Sequence, residues 1–225
     1  MKMKNLSIVC MLQLSAFLSA CNASPIEYGV EGLSDRFCLP EKYAPSTPFW
    51  MPIDPSEYSR GFFVSGCWKP GLHDESCELP PHVLSVGVSS KSNFSGWLWQ
   101  DFPEDSFIRR LPTRAGTKIE TVGQENLVVV YNENLWGSKY VWRKAEENQS
   151  SALSLGDGDS LEAICAQENA VNSDGTKINP TICERRVLGR DYYISYKFES
   201  NAPTPLSLSS LDEKIFRTLD KWRCK

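Results

Sequence analysis

Few side chains in this sequence combine in a way that does chemistry. The two histidines, His73 and His82, stand nine residues apart and flank Pro80 and Pro81. Either imidazole could act as a general base, but positions beside a proline pair read as exposed loop. There is no G-x-S-x-G elbow for a serine nucleophile and no H-E-x-x-H pair for zinc. The run Asp157-Gly158-Asp159 resembles the start of a calcium loop. It lacks the third spaced ligand, the central glycine and the closing glutamate, so the acids read instead as favourable charge at the start of a helix. Trp97 and Trp99 precede Asp101, Glu104 and Asp105. Tryptophans beside carboxylates occur in sugar binding and glycoside hydrolysis, but core aromatics ahead of a turn explain them more cheaply. No catalytic signature emerges, and the sequence predicts neither an enzyme, nor a cofactor, nor a metal site.

The N-terminus carries a clearer signal. Lys2 and Lys4 precede an apolar stretch from Leu6 to Leu18 that ends in Leu18-Ser19-Ala20-Cys21. About a dozen apolar residues suit an export signal, whereas a membrane-spanning helix needs roughly twenty. The closing residues resemble the lipobox of bacterial lipoproteins. That resemblance implies cleavage before Cys21, a diacylglycerol on its thiol and an acyl chain such as palmitate on the new amino group. Two or more chains anchor a protein stably to a bilayer. Asn22 in place of an aspartate points to the outer membrane, by similarity to sorted lipoproteins.

Removing residues 1–20 leaves 205 of 225, enough for one domain with a real core. The signal takes two lysines and no acid with it, so the net charge moves from −4 to −6. An acidic chain is a poor partner for nucleic acid. With Cys10 lost in the signal and Cys21 lipidated, six cysteines remain: Cys38, Cys67, Cys77, Cys165, Cys183 and Cys224. An even number in an exported chain reads as disulfides, and six allow fifteen pairings. Zinc is disfavoured, because no C-x-x-C occurs and histidines are scarce. The preferred pairing is local for Cys67–Cys77 and Cys165–Cys183, with Cys38–Cys224 tying the ends together.

Residues 21–37 read as a lipidated tether and 38–225 as a single domain. Five prolines between 39 and 55 exclude a helix there. Strands are expected at 62–68, 83–88, 96–100, 118–122, 127–131, 140–144 and 191–199, the fourth and fifth as a hairpin. Along the last of these Tyr192, Ile194, Tyr196 and Phe198 share one face. Leu161–Ala166, behind Gly156–Ser160, reads as a capped helix. A second helix is expected to start from a Ser210–Glu213 capping box, with Leu211, Ile215, Leu219 and Trp222 on one stripe. The predicted class is α+β: antiparallel strands with about two helices, stapled by cystines.

Four segments carry a wider resemblance: Phe37-Cys38-Leu39-Pro40-Glu41-Lys42-Tyr43, Gly61-Phe62-Phe63-Val64-Ser65-Gly66-Cys67-Trp68, Asp101-Phe102-Pro103-Glu104-Asp105-Ser106-Phe107 and Asp220-Lys221-Trp222-Arg223-Cys224-Lys225. With their spacing they span most of the mature chain, and they resemble lipoprotein immunity proteins of type VI secretion phospholipase effectors. The resemblance implies a non-enzymatic protein, lipid-anchored and facing the periplasm, that binds the toxic lipase and blocks it. For the partner-binding surface the sequence nominates Trp99, Asp101, Glu104, Asp105, Asn134 and Trp136. Another envelope lipoprotein with a binding or structural role fits the same residues, and a cell-wall enzyme using the three acids is a third reading.

Overall fold

The structure, a computed structural model, describes residues 26–30, 32–43, 61–66, 77–91, 99–122, 126–134, 137–148, 154–168, 170–171, 175–200 and 207–225. The expected signal, Cys21, the proline-dense segment after Tyr43, Cys67, His73 and Trp136 lie outside them.

Alternation of apolar and polar residues builds most of the sheet. Among the described residues there are twelve strands: β1 (Ile26–Gly29), β2 (Arg36–Leu39), β3 (Gly61–Ser65), β4 (Val83–Ser90), β5 (Thr117–Val122), β6 (Leu127–Asn132), β7 (Lys139–Arg143), β8 (Ser160–Gln167), β9 (Ala170–Val171), β10 (Lys177–Ile178), β11 (Thr181–Leu188) and β12 (Tyr192–Ser200). Eight of them form one antiparallel sheet in the order β3-β4-β12-β11-β8-β7-β6-β5, while β1–β2 and β9–β10 are separate hairpins. With helices α1 (Phe107–Arg110) and α2 (Leu208–Lys221) this is an α+β fold. Along β12, Tyr192, Ile194, Tyr196 and Phe198 are all buried. In β6 four consecutive residues, Leu127 to Val130, are buried because both faces of the sheet are covered there.

One face, the helix face, receives α2. Leu208, Leu211, Ile215, Leu219 and Trp222 pack with Ile194, Tyr196, Phe37 and Leu39 into the main core. Burying each such side chain contributes roughly 1.5–3 kcal/mol. The opposite, far face carries a smaller core of Leu111, Val128, Val130, Trp142 and Leu161.

Four expectations need correction. Leu161–Ala166 belongs to β8, not to a helix: Leu161, Ala163 and Cys165 are buried in alternation, and the strand pairs with β7 on one side and β11 on the other. Ladder bonds and burial on both flanks override good helix formers such as Leu, Glu and Ala. Residues read as tether supply β1 and the start of β2, with Val30 and Phe37 fully buried. Trp99–Asp101 is a 3-10 turn rather than the end of a strand. The cap of α2 is Ser207, whose Oγ accepts the Ser210 amide at 3.2 Å, while Glu213 pairs with Arg217.

Cys38 bonds Cys224 across 186 residues, and Cys165 bonds Cys183 directly opposite it on β8 and β11. Cys77 is also disulfide-bonded, to a partner outside the described residues. At the first bridge the C-terminal tail runs beside β2: the Cys38 amide donates to the Trp222 carbonyl at 2.6 Å and the Cys224 amide to that of Arg36 at 2.8 Å. Removing this bridge with Cys38→Ser and Cys224→Ser is expected to cost about 5 kcal/mol in the chain-entropy account. Urea unfolding monitored by tryptophan fluorescence measures it; an unchanged midpoint contradicts the expectation.

Candidate functional site

Residues 99–116 form a segment laid over the β5–β8 half of the far face. Phe102 and Leu111 anchor it: the Phe102 ring meets Trp142 at 5.9 Å, and Leu111 is buried. Ser106 caps α1 by accepting the Arg109 amide at 3.3 Å, and Arg109 Nη1 donates to the Phe102 carbonyl at 3.2 Å. Thr117 Oγ1 donates to the Leu111 carbonyl at 2.7 Å, which fixes the far end of the segment to β5. With its inner side so held, the outer side displays Asp101, Glu104 and Asp105, all exposed. Phe107 is 39 % exposed, 6.3 Å from the Tyr140 ring and 4.9 Å beneath the Arg114 guanidinium.

The nominated set is therefore divided. The three acids share the start of this segment. Asn134 sits at its other end, in the β6–β7 connection, where its Nδ2 would come within 3.0 Å of a Cβ added at Gly116. Gly116 has φ +81°, so both backbone and neighbour require glycine there. The buried Asn132 organises this end, donating to the Ala115 carbonyl at 3.0 Å and accepting the Asn134 amide at 3.0 Å. A glycosidase general acid works from a desolvated pocket, whereas these acids stand in solvent.

Asp159, weighed above as a calcium ligand or helix cap, does neither job. Its carboxylate is fully buried and accepts the amides of Ala145 at 2.8 Å and Gly156 at 3.0 Å. Lys144 Nζ lies 3.1 Å from its second oxygen and also donates to the Ser154 carbonyl. The pair closes the β7–β8 connection, and a cation there would have to displace the lysine. Among the described residues one group of three potential ligand atoms lies within 4.8 Å, on Glu27, Cys38 and Cys224. Its two sulfurs are bonded to each other and offer no thiolate. Also among them, no helix is long and apolar enough to cross a membrane.

His82 is half-buried rather than an open loop residue, and its φ is +71°. Its Nδ1 lies 4.0 Å from Glu199 Oε2, while its carbonyl accepts the Glu199 amide at 2.9 Å. Burial raises the Glu199 carboxyl, and His82 partly opposes that. The pair staples the start of β4 to the end of β12.

A buried ionic cluster that sequence reasoning missed joins the sheet to α2. Arg185, 5 % exposed, points to the helix face and donates through Nε and Nη2 to Asp212 at 3.0 and 2.6 Å. Its Nη1 donates to a Glu162 carboxylate oxygen and to the Glu162 carbonyl, and the Tyr196 hydroxyl donates to Asp212 at 2.6 Å. Desolvation pushes the Glu162 carboxyl up, but the charges and hydrogen bonds of Arg185 and Arg143 outweigh it, so it is held below the ordinary 4.5. Burial first, and Asp212 next, push the Tyr196 phenol well above its usual range. Every member is paired, which marks a structural network.

The chain matches no family model, no curated protein and no solved structure.

Two outcomes are expected of the cluster. Arg185→Ala leaves two carboxylates buried without their cation and should cost about 3–5 kcal/mol, read as a lowered urea midpoint. A carboxyl held low in the folded state stabilises above its unfolded pKa, and that stability is lost as pH falls through the folded value. Stability should therefore fall below about pH 4.5, and Glu162→Gln should flatten that fall. Equal acid sensitivity of Glu162→Gln and the parent contradicts the assignment.

Proposed function

We propose that this protein is a lipid-anchored immunity protein of the bacterial envelope that binds and inhibits a secreted antibacterial phospholipase. The observation that carries the reading is the segment 99–116. It holds Asp101, Glu104, Asp105 and Phe107 exposed on its outer side while Phe102, Leu111 and Arg109 fix its inner side to the sheet. A surface held rigid before binding loses little entropy on association, which suits an inhibitor that must act tightly and without turnover. Aromatic and arginine side chains such as Phe107 and Arg114 are the types that dominate interface energetics.

The lipid expected on Cys21 would place this domain at the membrane facing the periplasm, where an incoming lipase meets its substrate. Inhibition in this reading is steric: the bound domain covers the lipase cleft or prevents the movement that opens it. The outer membrane is the proposed location, on the strength of Asn22.

Two measurements test this. The product of the adjacent large gene, directed to the periplasm, should kill cells that lack this protein and spare cells that make it; equal killing in both overturns the immunity role. Cys21→Ser should move the protein from the membrane fraction to the soluble periplasm and abolish palmitate labelling. A variant that still needs detergent for extraction overturns the lipid anchor.

A further inference from the structure

β5 is the last strand of the eight-stranded sheet and is bonded to β6 along one edge. Among the described residues no strand pairs with its other edge. Such an edge is a template for a further strand, and the residues along it determine which strand fits.

Two backbone bonds fix which groups face outward. The Lys144 amide donates to the Asn126 carbonyl at 2.9 Å, so alternation along β6 turns the backbone groups of Asn126, Val128 and Val130 toward β7. Leu127, Val129 and Tyr131 then bond β5 through Val122, Glu120 and Lys118. Thr117, Ile119 and Thr121 are left with their backbone groups pointing away from β6. The Thr117 amide agrees: it donates to the Arg114 carbonyl at 3.1 Å, within a turn and not across the ladder. The edge thus presents the amides of Ile119 and Thr121 and the carbonyls of all three residues.

The side chains select the partner. Lys118 and Glu120 are exposed on the helix face, and Ile119 is half-buried on the far face against the smaller core. Lys118 Nζ donates to Glu133 at 2.6 Å, and Glu120 accepts the Tyr131 hydroxyl at 2.5 Å. An ammonium has three donors and a carboxylate two oxygens, so each can take a second partner. In an antiparallel pair of two β5 strands, outward residues must meet outward residues. With Ile119 opposite Ile119 of the second copy, Lys118 faces Glu120 of that copy and Glu120 faces its Lys118. These are non-hydrogen-bonded positions, where Cα atoms come to about 4.5 Å and side chains are closest. Sliding one strand by two residues sets Lys118 against Lys118 in one direction and Glu120 against Glu120 in the other. Like charges directly opposite are destabilising, so this edge complements itself in one register.

We propose that β5 pairs antiparallel with β5 of a second copy about a two-fold axis at Ile119, making one continuous sheet of the two. The axis stands perpendicular to the sheet, so the far faces of both copies look to the same side. The two segments 99–116 would be displayed together there. The pairing stands on β5 alone and does not need the immunity reading.

The test is sedimentation equilibrium of the mature chain carrying Cys21→Ser, free of lipid. Monomer and dimer should exchange with concentration, and growth should stop at the dimer. Lys118→Glu or Glu120→Lys should weaken association about tenfold each, because the two-fold counts every change twice. The two changes together should restore it to within about threefold of the parent. Thr121→Pro removes an outward amide that β6 does not use, and should weaken association about tenfold. Lys197→Ser, on β12, should associate as the parent does. Thermal melts show that each variant is folded, and Thr121→Pro decides if the charge variants are not. A parent still monomeric at about 1 mM overturns the pairing. So does association that Lys118→Glu and Thr121→Pro leave unchanged, growth beyond a dimer, or a double charge exchange that fails to restore it. A monomeric parent that binds the product of the adjacent large gene, and loses it on Thr121→Pro, gives the edge to a strand of that protein and overturns the second copy as occupant.

Discussion

The two ends of the described chain are clasped to each other, and much of the architecture hangs on that clasp. The tail from Trp222 to Cys224 lies antiparallel beside β2 through one isolated bridge between Arg223 and Phe37, fixed by two short backbone hydrogen bonds and the Cys38–Cys224 disulfide. Trp222 is thereby brought to Tyr43 at 4.6 Å, and its indole donates to Glu78 at 2.9 Å. The tail follows α2, so the clasp also holds the helix over Ile194 and Tyr196. A β1–β2 hairpin alone is marginal in water. Here it persists because the tail pairs with it and α2 gives Phe37 and Leu39 somewhere to be buried.

Pressing a helix onto this sheet brings charge into the interior. Arg185 points inward from β11, and Asp212 on α2 and Glu162 on β8 neutralise it. Such a network adds little net stability over an apolar contact of the same size. It does fix the rotation of α2 about its axis, because only one face brings Asp212 to both Arg185 and Tyr196. The interior ion pair of Lys144 and Asp159 sets the β7–β8 connection in the same manner. Both devices make the sheet a stiff platform, and the large hydrophobic side chains left exposed among the described residues, Phe63, Phe107 and Leu188, lie on its other side.

The sequence by itself determined β12, β4, the β5–β6 hairpin and the apolar stripe of α2, because periodicity of two or of 3.6 is local. It also determined that cysteines would cross-link the fold, and the two bridges fully described match the pairing preferred from spacing. Tertiary structure decided the rest. β11 was invisible because Glu184-Arg185-Arg186 interrupts it, and an inward arginine makes sense only with Asp212, 27 residues later. β8 is written in helix-forming residues and became a strand because it has partners on both edges. Asp101, Glu104 and Asp105 could be placed on the surface from their loop context, but Phe63 could not be told from Phe62. One is core and the other exposed because a strand sends neighbouring side chains to opposite faces, and only the assembled sheet determines which face is covered.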